Sequence, residues 1–201
     1  YLVWDKGQAD FVRRAVGVDA KVEMVGPIWF SDSAVEQPCL PLRTVAVFDV
    51  QPVRNSFYQA LALDFDLYTP AVVNKFLLDI TDALFNIDCY AAHKRKREIG
   101  RQSHPQFRLT LKLLERSERY LAIDPELSAI SLIQKSEAVI SMPFTSTALL
   151  GREANKPSVY YDPFCLLDKD DPAAHGILIV QGPIDLGKWL ANNLADKISE
   201  A

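Results

Sequence analysis

Cysteine is the first scarcity: Cys39, Cys89 and Cys165 are widely spaced, and none stands beside a second Cys or a His at ligand spacing. This argues against a zinc site and for a reducing compartment. No Gly-x-Gly-x-x-Gly, Gly-x-x-x-x-Gly-Lys-Ser/Thr or Gly-x-Ser-x-Gly occurs, which disfavours a dinucleotide dehydrogenase, a P-loop NTPase and an α/β-hydrolase. No run approaches the roughly 18 apolar residues of a membrane-spanning helix, and no basic, apolar leader opens the chain. Positive charge is not in excess: 22 Lys and Arg stand against 26 Asp and Glu, a net charge of −4. Bulk electrostatics therefore give no reason to expect a nucleic-acid or anionic-membrane partner. The acidic group Asp168, Asp170 and Asp171 lacks the spacing of a ligand set and reads as a solvated loop, so no metal is expected. The chain opens on Tyr1 inside an apolar run, which suggests a piece of a longer protein. The expected location is the cytoplasm, at most at the periphery of a membrane.

What is present is regular alternation. With 49% hydrophobic and 24% charged residues, 201 residues suit one α/β domain over 1–201 with a sizeable core. Tyr1 to Trp4 reads as a strand, Gln8 to Val16 as a helix and Lys21 to Val25 as a strand ended by Gly26-Pro27, together a β-α-β unit. Ile28-Trp29-Phe30 and the segment to Pro41 read as an irregular connection whose aromatics anchor a core. Arg43 to Val50 is Val-rich and suits a strand buried on both faces of a parallel sheet. Thr69 caps a helix that starts at Pro70 and repeats Val73, Phe76, Leu77, Ile80 and Leu84 at helical spacing. Asp88 to Ala92, Tyr120 to Ile123, Ser158 to Tyr161 and Ile177 to Val180 read as further strands. Helices follow at Pro105 to Leu114, Leu127 to Lys135 and Ser146 to Ala154, and a last one carries Leu186, Trp189, Leu190, Leu194 and Ile198. Such a pattern predicts a doubly wound parallel sheet, whose ligands sit outside the carboxyl ends of its strands.

That rule selects the candidate site residues. Asp49, Gln51 and Arg54 follow one strand, and the cations Lys94, Arg95, Lys96 and Arg97 follow the next, where they can neutralise a diphosphate or a sugar carboxylate. Asp162 closes a later strand and can hold a ribose or sugar hydroxyl. The most informative stretch is Ala138 to Leu150, in which an apolar strand ends at Met142-Pro143 and a helix begins within Phe144-Thr145-Ser146-Thr147. The helix dipole and the first free N–H groups favour an anion there, and the hydroxyls of Thr145, Ser146 and Thr147 add three donors. Plain helix capping is the competing account of those hydroxyls.

Pro143-Phe144-Thr145-Ser146, followed by Lys156-Pro157-Ser158-Val159-Tyr160-Tyr161-Asp162-Pro163, resembles the family of bacterial polysaccharide-biosynthesis proteins named for the PFTS motif. More distantly, Ser146-Thr147 is similar to the serine/threonine motif with which bacterial sialyltransferases and Kdo transferases hold the phosphate of a CMP-sugar. The resemblance is best from about Asp88 to Pro163. It implies a Rossmann-like GT-B nucleotide-binding domain and a glycosyltransferase whose donor is a nucleotide-sugar, with no separate cofactor. By the same resemblance Lys96 and Arg97 match a Lys-Arg pair that meets the phosphate, and Ile123, Asp124 and Pro125 are base-pocket candidates. His104-Pro105 is compared with a His-Pro motif whose histidine contacts the CMP phosphate, although here His104 lies well beyond its strand.

The function so implied is donor binding in surface-polysaccharide synthesis, with a glycan as acceptor and the catalytic base, otherwise unassigned, in a missing N-terminal domain. A non-catalytic module of the same fold, binding a glycan or a partner, is one alternative. An epimerase or polyol-phosphate transferase is the other.

Overall fold

The computed structural model describes residues 1–26, 38–60, 62, 66–96, 98 and 100–194. The expected aromatic connection at Ile28-Trp29-Phe30, the cation Arg97 and Ile198 of the last helix lie outside these residues. The chain divides into two compact units, Tyr1–Val35 and Glu36–Ala201.

In the first unit, β1 (Leu2–Val3) and β2 (Glu23–Met24) pair in parallel and α1 (Lys6–Val16) connects them. The β-α-β reading is correct, but both strands are shorter than expected and form a two-stranded sheet of their own. The helix starts at Lys6, earlier than the apolar pattern indicates, because Asp5 caps it by accepting from the Gln8 N–H at 2.8 Å.

The second unit holds six parallel strands in the order β5-β4-β3-β6-β7-β8. These are β3 (Thr44–Phe48), β4 (Tyr90–Lys94), β5 (Tyr120–Ile123), β6 (Ala138–Ser141), β7 (Ser158–Asp162) and β8 (Leu178–Gln181). The doubly wound parallel sheet is therefore present. All of β3 and β6 is buried, as a strand covered on both faces must be. The helices are α2 (Asn55–Ala60), α3 (Pro70–Phe85), α4 (Pro105–Leu114), α5 (Ala129–Lys135), α6 (Ser146–Glu153) and α7 (Gly182–Leu194). α3 packs against α4 and α7, and α5 packs against α6, so the helices form two groups. Val45, Val47, Ile140, Val159 and Tyr161 join Phe76, Leu77, Ile80, Phe107, Leu111 and Trp189 in one core.

Two boundaries change the functional reading. β4 begins at Tyr90 and runs on through Lys94, because its parallel pairing with β3 continues to Phe48↔Lys94. His93 and the first of the four cations thus belong to the strand instead of following it. The helix α2, absent from the sequence reading, begins directly after Arg54.

α6 sits unusually close to the sheet. A Cβ on Gly151 would lie 2.3 Å from Ser158 Oγ and 2.8 Å from Val139 Cγ2. Its far end closes with Asn155 in the left-handed region at φ 56°. The N–H of Asn155 donates to Arg152 C=O and that of Lys156 to Gly151 C=O, each at 2.9 Å, a paired closure that satisfies the last carbonyls of the helix. Gly151→Ala is expected to destabilise the protein by about 1–3 kcal/mol through overpacking, despite the better helix propensity of Ala. Equilibrium denaturation checks this, and the loss should shrink in a Ser158→Ala background, where the nearest obstructing atom is gone.

Candidate functional site

The strand order places β3 between β4 and β6, and the chain crosses the sheet between β5 and β6 to reach the other side. In open parallel sheets this reversal leaves a crevice beyond the carboxyl ends. A cleft of about 580 Å³ lies there, walled by the ends of β3 (Phe48 to Val50), of β4 (Lys94 to Lys96) and by Phe144 to Thr147. Tyr68 and Ala129 complete its lining. Lys96, Thr145, Ser146 and Thr147 are thus brought together, and Asp49 joins them.

The corner that enters α6 is held by the backbone and by two tyrosines. Met142 N–H donates to Phe48 C=O at 2.9 Å, which continues the β3–β6 pairing by one rung. The Tyr68 hydroxyl donates to Pro143 C=O at 3.0 Å and the Tyr160 hydroxyl to Thr145 C=O at 2.7 Å. Burial raises the pKa of both phenols, and that of Tyr160 is pushed up to about 12, with the neighbouring Tyr68 contributing second. Both therefore remain donors at neutral pH. Between these anchors Phe144 adopts φ 62°, a strained setting for a bulky residue, and its ring tilts against that of Tyr160 at 6.1 Å.

The hydroxyls divide differently from the sequence expectation. Thr145 occupies the N-cap position, but its side chain makes no cap bond and donates instead to Met142 C=O at 2.8 Å. Thr145 Oγ1 then lies 3.2 Å from Thr147 Oγ1, which lies 2.8 Å from Ser141 Oγ. One proton order serves all three: Ser141 to Thr147, Thr147 to Thr145, and Thr145 to the carbonyl. In that order Thr145 and Thr147 offer lone pairs, not protons, to the cleft. Ser146 is exposed, and its hydroxyl enters no such chain. The donors for an anion are then Ser146 Oγ and the first-turn N–H groups of α6.

Opposite stand the cations. Lys94 is largely buried, and its amino group donates to Pro125 C=O at 2.8 Å, which ties the loop after β5 to the cleft wall. Burial lowers its pKa, and the nearby Asp124 and Glu126 work against that shift. Arg95 and Lys96 follow, progressively more exposed. Sequence reasoning treated the cations as one group after the strand. The structure separates a buried, tethered Lys94 from the two that follow.

Behind the cleft lies a polar chain that the sequence reading did not assemble. Asp49 has a fully buried side chain, and His93 Nε2 lies 3.3 Å from Asp49 Oδ2. The distance suits an ion pair, but neither Asp49 oxygen nor His93 Nε2 makes a hydrogen bond. On the far side His93 Nδ1 meets the Tyr120 hydroxyl at 2.5 Å. Burial, then the Asp49 charge, holds that phenol well above the usual tyrosine range and keeps it protonated. Only the alignment of β3, β4 and β5 shows that these three residues meet.

The remaining expected site residues lie elsewhere. Ile123 pairs with Lys94 across the sheet, Asp124 accepts from Glu126 N–H at 2.8 Å, and neither lines the cleft. Asp162 is fully buried and accepts from the N–H groups of Phe164 at 3.2 Å and Leu167 at 2.9 Å, so its carboxylate holds the loop after β7. His104 is the N-cap of α4, its Nδ1 accepting from Gln106 N–H at 3.3 Å, and does not line the cleft. Arg54 lines a separate groove, and Gln51 lines neither. Among the described residues no three His, Cys, Asp or Glu side chains gather as a metal site requires, and no helix is long and apolar enough to cross a membrane.

The family model described as "Polysaccharide biosynthesis PFTS motif protein" matches residues 1–190. No curated protein and no solved structure matches the chain.

Lys94→Met tests the electrostatics of the wall through stability. The folded-state pKa of Lys94 lies below its ordinary value of 10.5. The penalty on its buried ammonium is fully present below that depressed pKa and disappears as pH rises through it toward 10.5. The stability difference, variant minus parent, is therefore expected to fall as pH rises through that alkaline window. Urea melts of both proteins at several pH values measure it; a pH-independent difference contradicts the account.

Proposed function

The chain belongs to the family of polysaccharide biosynthesis PFTS motif proteins, and on that premise we propose that its cleft binds the nucleotide-sugar donor of a glycosyltransferase. The observation that carries the reading is the position of Arg95 and Lys96 across the cleft from the start of α6 at the strand-order reversal. A helix N-terminus alone favours an anion by a modest amount, about 0.3–1 kcal/mol at exposed sites. Two cations across from it raise the demand to a multiply charged group, as a nucleotide phosphate is.

In this reading the phosphate rests on the α6 N–H groups and Ser146 Oγ, with Lys96 and Arg95 across from it. As the glycosidic bond to the sugar breaks, negative charge grows on the departing phosphate, and donors already aimed there stabilise the transition state more than the ground state. Asp49 adds a negative charge behind the cleft wall, but its carboxylate oxygens are fully buried beside His93 and are not themselves offered to the ligand. A CMP-sugar is the first donor to examine, through the similarity of Ser146-Thr147 to the CMP-sugar motif. The same reading assigns the acceptor's base to a part of the protein beyond these residues.

Calorimetric titration with CMP, UDP, GDP and ADP tests the proposal and selects the nucleotide. Binding of one of them is expected, weakened about tenfold or more by Ser146→Ala, since a hydrogen bond to a charged group contributes about 1.5–3 kcal/mol. Thr147→Val should chiefly lower thermal stability, because its hydroxyl bonds inward. Absence of binding by all four nucleotides would sink the donor reading in favour of a non-catalytic module.

A further inference from the structure

The loops that wall the cleft do not end there. After β3 the chain passes Asp49 and Val50, reaches Arg54 and enters α2; after β4 it passes Lys96, reaches Arg101 and enters α4. The two segments are joined by an isolated antiparallel bridge between Val53 and Ser103. Arg54 N–H donates to Gln102 C=O and His104 N–H to Pro52 C=O, each at 2.9 Å. This clasp sets Arg54 beside Gln102, with α2 and α4 leaving from either side. Between them lies a groove of about 460 Å³, into which Arg54, Arg101 and Arg108 all contribute.

Three guanidinium groups in one groove need counter-charge. None of them makes a side-chain hydrogen bond or ion pair among the described residues. The chain as a whole carries −4, so a cluster of unpaired arginines departs from the general character of the protein. Phe57 lies in the same lining, with Ser56 and Gln102 as neutral hydrogen-bonding groups. Guanidinium forks fit carboxylates in two-point geometry, an aromatic ring covers the C–H face of a pyranose, and neutral polar groups meet its hydroxyls. The volume falls within the range of about 300–1,000 Å³ typical of small-molecule sites.

We propose that this groove holds an acidic saccharide, a sugar carrying a carboxylate, as the acceptor end of the glycan that the donor cleft serves. This rests on the donor reading for the word acceptor, while the groove's own chemistry specifies the anionic sugar. Donor and acceptor sites then share their framework, because the post-β3 and post-β4 loops supply both.

The test uses the whole chain and a tetrasaccharide of alternating glucuronate and neutral hexose. Its carboxyl-reduced counterpart is the control, and both are titrated by calorimetry or by saturation-transfer NMR. Saturable binding of the acidic tetrasaccharide is expected, with at least tenfold weaker binding of the reduced form. Arg54→Gln, Arg101→Gln and Arg108→Gln should each weaken it several-fold and the triple variant abolish it. Circular dichroism should show native folding, since these side chains hold no internal partner. Equal binding of the reduced form, affinity unchanged in the triple variant, or displacement by equimolar inorganic phosphate would overturn the proposal. Nucleotide titration of the same samples reads the cleft separately. Nucleotide binding unchanged in the triple variant supports two sites, whereas its loss alongside the saccharide contradicts a distinct groove.

Discussion

The candidate site depends on one backbone constraint: β3 pairs in parallel with β4 on one side and β6 on the other. Parallel pairing sends every strand's carboxyl end to the same edge of the sheet, so all the connecting loops start together there. The reversal of strand order then pulls the connections of β3 and β6 to opposite faces, and among the described residues a cleft is left between them. The last shared rung is the bond from Met142 N–H to Phe48 C=O. Beyond it the two chains part, and polar residues must find partners among themselves or in what enters. The Ser141–Thr147–Thr145 chain does the first, and Asp49 lies buried beside His93; Ser146 and Lys96 are left open to the cleft.

The buried pair of Asp49 and His93 gives this division an energetic edge. A carboxylate taken from water without hydrogen bonds costs several kcal/mol unless an opposite charge compensates it. His93 stands at ion-pair distance, and Tyr120 occupies its other nitrogen. The result is a carboxylate held in place behind the wall of the cleft and closed to solvent. The polar side chains open to the cleft are then the cations and Ser146, which is why the donor reading accounts for more of the lining than a module for neutral glycans does.

The sequence carried the fold because parallel strands covered on both faces are continuous apolar runs, and the helices between them keep a clean period. The corner at Phe144 to Thr147 was legible for the same reason, since a strand ending at a proline and hydroxyls starting a helix are local signals. Other features depended on pairing across the sheet. That β4 continues through Lys94 follows from its register with β3, and no local pattern marks it, because His93 and Lys94 look like the start of a polar loop. The inward turn of Thr145 depends on Met142 C=O facing back toward it, so that this carbonyl accepts from both the Thr145 hydroxyl and its N–H, a matter of three-dimensional geometry. Asp162 looked like a ligand residue because it ends a strand, but the loop that follows needs both of its oxygens. Strand-end position therefore identified where polar residues gather, and hydrogen-bond accounting decided which of them were already engaged.

The tight seat of α6 against Val139 and Ser158 has a consequence for how this edge of the molecule meets a ligand. A helix whose glycine lies flush on the sheet cannot slide or tilt without colliding, and its opposite end is locked by the bonds of Asn155 and Lys156. Its leading N–H groups are thus oriented before anything binds, and the ordering of that dipole is completed when the protein folds. On the donor reading, a charged ligand would meet an electric field already in place, with no rearrangement of the helix required.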